Sequence, residues 1–172
     1  MMDRIQIGPD RLEFIRDGDA PKGLALGTQT ISQAHFRSTP PTAAELEAAI
    51  DTIETALMPV SPDLGGEGPL LTDDPESRAL AEFAGFAPGS AAVLDIADVE
   101  RQFNRLVNVA HGRPASSEGL PLRASFAANL LILRELMHHA GRRSLWVIAN
   151  ETSSGDLAVG VQFGREVGDS PR

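Results

Sequence analysis

Gly8, Asp10, Glu13 and Gly27, with Gly65, Gly66, Glu67 and Gly68 further on, are the residues of this chain best placed to do chemistry. Glycines grouped at a turn let successive backbone N–H groups converge on an anion, the arrangement that grips a phosphate. Carboxylates near such a turn could hold Mg²⁺ through oxygen ligands. The first group sits in Arg4–Phe14. There the alternating pairs Ile5/Ile7 and Leu12/Phe14 flank Gly8-Pro9-Asp10 and read as a β-hairpin with one face in a core. The gripping residues are missing from that turn. Pro9 has no N–H, and Asp10 would repel a phosphate. The second group, Leu64-Gly65-Gly66-Glu67-Gly68, is interrupted by an acid and followed by Pro69.

Other chemistry-bearing residues have simpler structural readings. The four histidines are His35, His111, His138 and His139. His138 and His139 point about 100° apart on a helix, whereas a helical zinc pair needs a spacing of three or four. They read as helix C-terminal histidines favoured by the dipole. Asp73, Asp74 and Glu76 read as a helix start, as do Asp95 and Asp98. Ser116-Ser117 and Thr152-Ser153-Ser154 lack a nucleophile-elbow setting. Arg142-Arg143 reads as a solvated turn. Trp146 reads as a core residue, or alternatively as the anchor of a dimer interface. No metal site or cofactor is expected.

The elements that must position these residues follow from periodicity. A third strand is expected over 23–31. Thr42-Ala43-Ala44-Glu45 forms a capping box for a helix with Leu46, Ala49, Ile50, Ile53 and Leu57 on one face, ended by Pro59. Residues 59–72, rich in Pro and Gly, read as an exposed loop. Asp74-Pro75-Glu76 opens a short helix carrying Leu80 and Phe83. Asp95 caps an amphipathic helix running to Ala110, and 111–121 reads as a polar loop. Ser125 is expected to cap a mostly buried helix to His139. Strands are expected at 145–148 and 157–163, joined by a hairpin at 152–155. The order implies an α/β (α+β) fold, a mixed sheet with packed helices. One domain over 1–164 and a frayed tail over 165–172 complete the reading.

Composition narrows the partners. Net charge is −9, with a single lysine, Lys22, and arginines scattered along the chain, so nucleic acid is not expected. Polyanions such as polyphosphate are also poorly served by an acidic field. There are no cysteines, which removes thiolate catalysis, disulfides and cysteine metal sites. No apolar stretch reads as a signal peptide or membrane span, so no membrane partner and a cytoplasmic location are expected. Abundant Ala, Gly and Arg suit a GC-rich bacterial genome.

Three segments carry a resemblance to the exopolyphosphatase/guanosine-pentaphosphate phosphatase family. Residues 4–14 align without gaps on that family's V-V-D-I-G-G-G-S-T-E-L strand–loop–strand. Leu24-Ala25-Leu26-Gly27, Phe36, Thr39-Pro40-Pro41-Thr42 and Glu45-Leu46 match its L-P-L-G, aromatic, D-P-P-T and E-L run. Residues 121–148, with Arg123-Ala124 before Leu131-Ile132-Leu133, resemble its late helix and strand. The resemblance implies one ribonuclease-H-like lobe, the second, of an actin-like ATPase fold, with no counterpart of the first. It also implies a second phosphate loop near residues 64–72.

The departures from the family pattern bear on activity. Gln6 stands where the family has an acidic residue, Pro9 and Asp10 replace two glycines, and Arg11 replaces a serine; Glu13 is retained. The reading is a noncatalytic lobe that acts through protein association, with itself or with a partner protein. Gly8, Gly27 and Gly65–Gly68 would line the cleft wall that the first lobe otherwise covers. The alternatives are a metal-dependent phosphohydrolase using Asp10, Glu13, Glu67 or Asp73, and one subunit of a split phosphatase.

Overall fold

The structure, a computed structural model, describes residues 2–149. The expected hairpin at 152–155, the strand at 157–163 and the tail lie outside the described residues.

The first hairpin forms as its alternation dictates. Strand β1 (Asp3–Ile7) pairs antiparallel with β2 (Leu12–Ile15), placing Ile5 opposite Phe14 and Ile7 opposite Leu12, all four buried. Strand β3 (Lys22–Leu24) adds to the outer edge of β2. The strand expected over 23–31 therefore stops early. From Thr28 to His35 the chain is helix α1, with Ile31 turned into the core. The β-branched residues Thr28, Thr30 and Ile31 suggested a strand, but propensity is a weak prior that tertiary context overrides.

Helix α2 (Ala43–Leu57) starts at the expected capping box: Thr42 Oγ1 accepts from the Glu45 N–H, and the Glu45 carboxylate accepts from the Thr42 N–H. The expected loop over 59–72 is instead a short helix α3 (Ser61–Leu64), the glycine segment, and strand β4 (Leu70–Thr72). Helix α4 (Pro75–Phe83) is capped by Asp74, and strand β5 (Ala92–Asp95) leads straight into α5 (Ile96–Ala110). Asp95 and Asp98 make a second reciprocal cap there. The expected polar loop after α5 contains a one-turn helix, α6 (Ala115–Glu118). Helix α7 (Ala124–His139) follows, and Ser125 does not cap it. Arg123 holds the N-cap position, while the Ser125 hydroxyl donates to Glu76 at 2.6 Å. Strand β6 (Ser144–Val147) closes the described fold.

The sheet order is β3-β2-β1-β4-β6-β5, with β4 parallel to both β1 and β6 and the remaining pairs antiparallel. Period-two alternation sorts its side chains into two faces. Ile5, Phe14, Leu70, Leu145 and Leu94 face the helices and are buried. Helix α7 is the hub of that layer and contacts α1, α2, α4 and α5. Its side chains from Phe126 to Leu133 are buried all round, the signature of a central helix.

The other face carries a cross-strand row set by register: Ile15, Arg4, Leu71, Trp146 and Val93 on successive strands. Trp146 is 43% exposed and Val93 51%, so Trp146 is not a core residue. It lies in a strand whose Leu145 and Val147 take the core positions, which forces residue 146 outward.

Candidate functional site

In an open sheet with parallel strands, ligands bind outside the carboxyl ends of the strands, where connections diverge. Here that place lies after β1 and β4, at the Gly8-Pro9-Asp10 turn and Asp73-Asp74. The turn is closed on itself by the Gly8 N–H donating to the Arg11 carbonyl at 2.9 Å.

Helix α1 begins directly against this turn and has no side-chain cap. Its first three N–H groups would be the natural grip for a phosphate. They are already occupied: Thr28 N–H donates to the Gly8 carbonyl at 3.0 Å, and Gln29 and Thr30 N–H donate to the Pro9 carbonyl at 2.8 and 3.2 Å. The Thr30 hydroxyl donates to the Asp10 carbonyl at 3.3 Å. The loop thus fills the helix N-terminus with its own oxygens. Gly27 permits the approach, since a Cβ there would lie 2.2 Å from the Pro9 carbonyl oxygen and 2.5 Å from the Asp10 nitrogen. Beside the turn, Arg11 pairs with Glu13 at 3.2 Å. A cavity of about 290 Å³ is lined by Asp10, Arg11, Gly23, Leu24 and Ala25.

Gly65–Gly68 is at the opposite end of the sheet. Leu70 pairs with Asp3, so the glycine segment precedes β4 beside the start of β1, while Gly8 follows its end. Five strand residues of about 3.3 Å each separate the two. The two glycine groups therefore do not line one wall, a correction to the expectation above.

What occupies the second segment is Arg142. Its side chain is 1% exposed, which overturns the reading of Arg142-Arg143 as a solvated turn for this residue. Arg142 pairs with buried Asp3 and donates to the carbonyls of Leu64 (2.9 and 2.8 Å) and Gly68 (3.0 Å). Arg16 donates to both Asp3 oxygens, at 3.0 and 2.9 Å, and to the Gly65 carbonyl at 2.9 Å. A Cβ on Gly66 would meet the Arg142 guanidinium at 2.8 Å. Hydrogen bonds from Arg16, opposing the cost of burial and reinforced by Arg142, hold the Asp3 carboxyl below its usual range. A cavity of about 340 Å³ lies over this cluster, with Glu67 on its rim. The guanidinium donors point at Asp3 and the loop carbonyls, so the cluster is a staple for the 63–68 segment. The signal in the sequence was Asp3 itself. It shares the inward parity of Ile5 and Ile7, and an acid at such a position needs a buried cation.

The acids suggested as Mg²⁺ ligands do not converge. Asp10 is exposed at the turn, Glu67 is at the far end, and Asp73 is held by Arg4 at 2.6 Å. Among the described residues, no three of Asp10, Glu13, Glu67 and Asp73 bring ligand atoms together. Asp74 is buried at the α4 N-terminus. Its carboxylate accepts from the Thr72 hydroxyl (2.6 Å), the Ser77 hydroxyl (2.8 Å) and the Ser77 N–H (2.8 Å). Burial nevertheless outweighs these bonds and pushes its carboxyl up.

No protein-family model and no curated protein matches the chain. Solved structures do. The type II variant of the Aquifex aeolicus Ppx/GppA phosphatase superposes with a TM-score of 0.68 at 15% identity, over 86% of this chain and 53% of that one. An exopolyphosphatase from Cytophaga hutchinsonii gives 0.66 at 16% identity, over 87% and 53%. An exopolyphosphatase-like protein gives 0.65 at 11%, over 86% and 54%. The fold is one lobe of the Ppx/GppA exopolyphosphatase architecture. The chain spans about half the length of the structures it matches. At these identities the likeness concerns the fold, and it agrees with the actin-like lobe that the sequence implied. No described helix is long and apolar enough to cross a membrane.

Proposed function

We propose that this exopolyphosphatase-like lobe is noncatalytic and acts by associating with a second copy of itself through the open face of its sheet. The observation that carries the first half is the filled N-terminus of α1. Phosphoryl transfer depends on donors, cations or metals aimed at the phosphates. Here the N–H donors at the start of α1 are spent on the Gly8 and Pro9 carbonyls.

The second half rests on the β4-β6-β5 side of the sheet. Leu71, Val93, Trp146 and Ile148 are contiguous there, and with Phe86 and Ala149 they line a groove of about 550 Å³. Such a patch favours burial by association, and a tryptophan at its centre is a common anchor. All its lining residues are uncharged on a chain of net charge −9. A second copy brings the same uncharged patch and keeps its acidic surface away, as a two-fold interface requires.

Light scattering over a range of concentrations tests this, alongside phosphate-release assays with polyphosphate and nucleotides in Mg²⁺. The expected result is a concentration-dependent dimer, abolished by Trp146→Glu, and no turnover. A monomer at all concentrations sinks the association, and turnover by the purified chain sinks the noncatalytic assignment.

A further inference from the structure

We propose that Glu54, Glu135 and His139 form a binding site for a divalent transition metal, zinc foremost, at the contact between α2 and α7. Glu135 and His139 are four residues apart on α7 and so share a face, and Glu54 meets them from α2. His139 Nε2 lies 3.8 Å from Glu54 Oε1 and 3.8 Å from Glu135 Oε2. The three potential ligand atoms fall within 4.8 Å of one another.

Those separations are too long for hydrogen bonds, though within reach of an ion pair if the ring is protonated. They are close to what one ion requires. With ligand bonds of about 2.0–2.2 Å, tetrahedral geometry sets donor atoms about 3.3–3.6 Å apart. The two His139 separations exceed that spacing by only a few tenths of an ångström, and the two carboxylates lie within 4.8 Å of each other, so rotation of the part-exposed Glu54 side chain closes the site.

Glu135 is the fixed member. It is buried, and Oε1 accepts from Arg134 Nη1, which leaves Oε2 turned toward His139. Arg134 is itself held by Glu100 at 2.9 Å. An orienting partner of this kind behind a ligand carboxylate is the usual support of a metal centre. Glu54 and His139 are partly exposed, which gives an entry path and room for a water as fourth ligand. Two carboxylates and a neutral imidazole present two negative charges to a dication. The imidazole favours zinc, cobalt or nickel over magnesium. His138 is not a member: it faces the other way and contacts Glu100.

The test is calorimetric titration of the metal-depleted full chain with zinc chloride, with cobalt absorption as the readout of geometry. The expected result is one zinc per chain, a raised melting temperature and tetrahedral cobalt bands. His139→Asn should remove the bands and weaken zinc by about tenfold or more, the least expected when even an outer partner of a site costs that much. Glu54→Gln, at a half-exposed position, should weaken it likewise and decides the matter if His139→Asn misfolds by circular dichroism. Absence of zinc binding, or binding that survives these substitutions, overturns the site. A helix contact that responds to pH but not to zinc also overturns it, since protonated His139 would then be the bridge between the two carboxylates.

Discussion

The two glycine-bearing segments flank β1 and end up closed by different means. At Gly8-Pro9-Asp10 the seal is backbone on backbone: three helix N–H groups against two loop carbonyls, with Gly27 removing the Cβ that would hold them apart. At Gly65–Gly68 the seal is ionic, as loop carbonyls from Leu64, Gly65 and Gly68 wrap two guanidiniums that share Asp3. In both segments the loop presents oxygens inward, whereas a phosphate cradle presents amides. Glycine serves close approach in each case. The difference lies in what yields under strain, since a helix terminus is rigid and a guanidinium tip can shift.

The largest expected effect comes from breaking the ionic seal. Arg142→Leu leaves Asp3 buried with Arg16 alone and strips the Leu64 and Gly68 carbonyls of their donor. Removing one partner of a buried pair costs about 3–5 kcal/mol, to be read from urea unfolding. A loss below that range would mean that Arg16 suffices for Asp3. Next is the backbone seal: Gly27→Ala should cost about 1–3 kcal/mol as overpacking against Pro9, with Gly66→Ala costing less. A larger loss at Gly66 would reverse the contrast between rigid and yielding seals.

Acid sharpens the contrast further. The Asp3 carboxyl is held below its usual value in the fold, so its contribution is full above the unfolded value, about 3.9, and is lost as pH falls through the lowered folded value. Asp74 acts in the opposite sense. Its raised folded value means that ionisation opposes folding, so its contribution is full below the unfolded value and is lost as pH rises through the folded one. Asp3→Asn should therefore flatten the acid limb of a stability–pH profile, and Asp74→Asn should flatten the limb just above it. The smallest effect on stability is expected at the open face. Trp146→Ser should change unfolding free energy by about 1 kcal/mol or less while abolishing the dimer. A severe loss of fold would show that this side chain supports the sheet instead.

Much of the scaffold was legible because its signals are local. Thr42/Glu45 and Asp74-Pro75 announced their helices, and the parity of Ile5, Ile7, Leu12 and Phe14 announced the hairpin. Strands β4 and β5 escaped because three or four residues carry too little periodicity, and β5 runs straight into a helix. The placement of Gly65–Gly68 was not readable at all, since it depends on the register of Leu70 against Asp3, a pairing across nearly seventy residues. Arg142 escaped because an arginine doublet in a turn normally solvates, and only the inward parity of Asp3 argued otherwise. The Glu135/His139 spacing of four is local, but Glu54 joins it from α2, a contact that no local pattern encodes.

The closed turn is most directly tested by following backbone amide resonances of the ¹⁵N-labelled chain as polyphosphate, inorganic phosphate or Mg²⁺–ATP is added. Invariant Thr28, Gln29 and Thr30 amides, with slow hydrogen exchange, are the expected result. Saturable shifts at those three amides, showing that a phosphate displaces the Gly8 and Pro9 carbonyls, would contradict it.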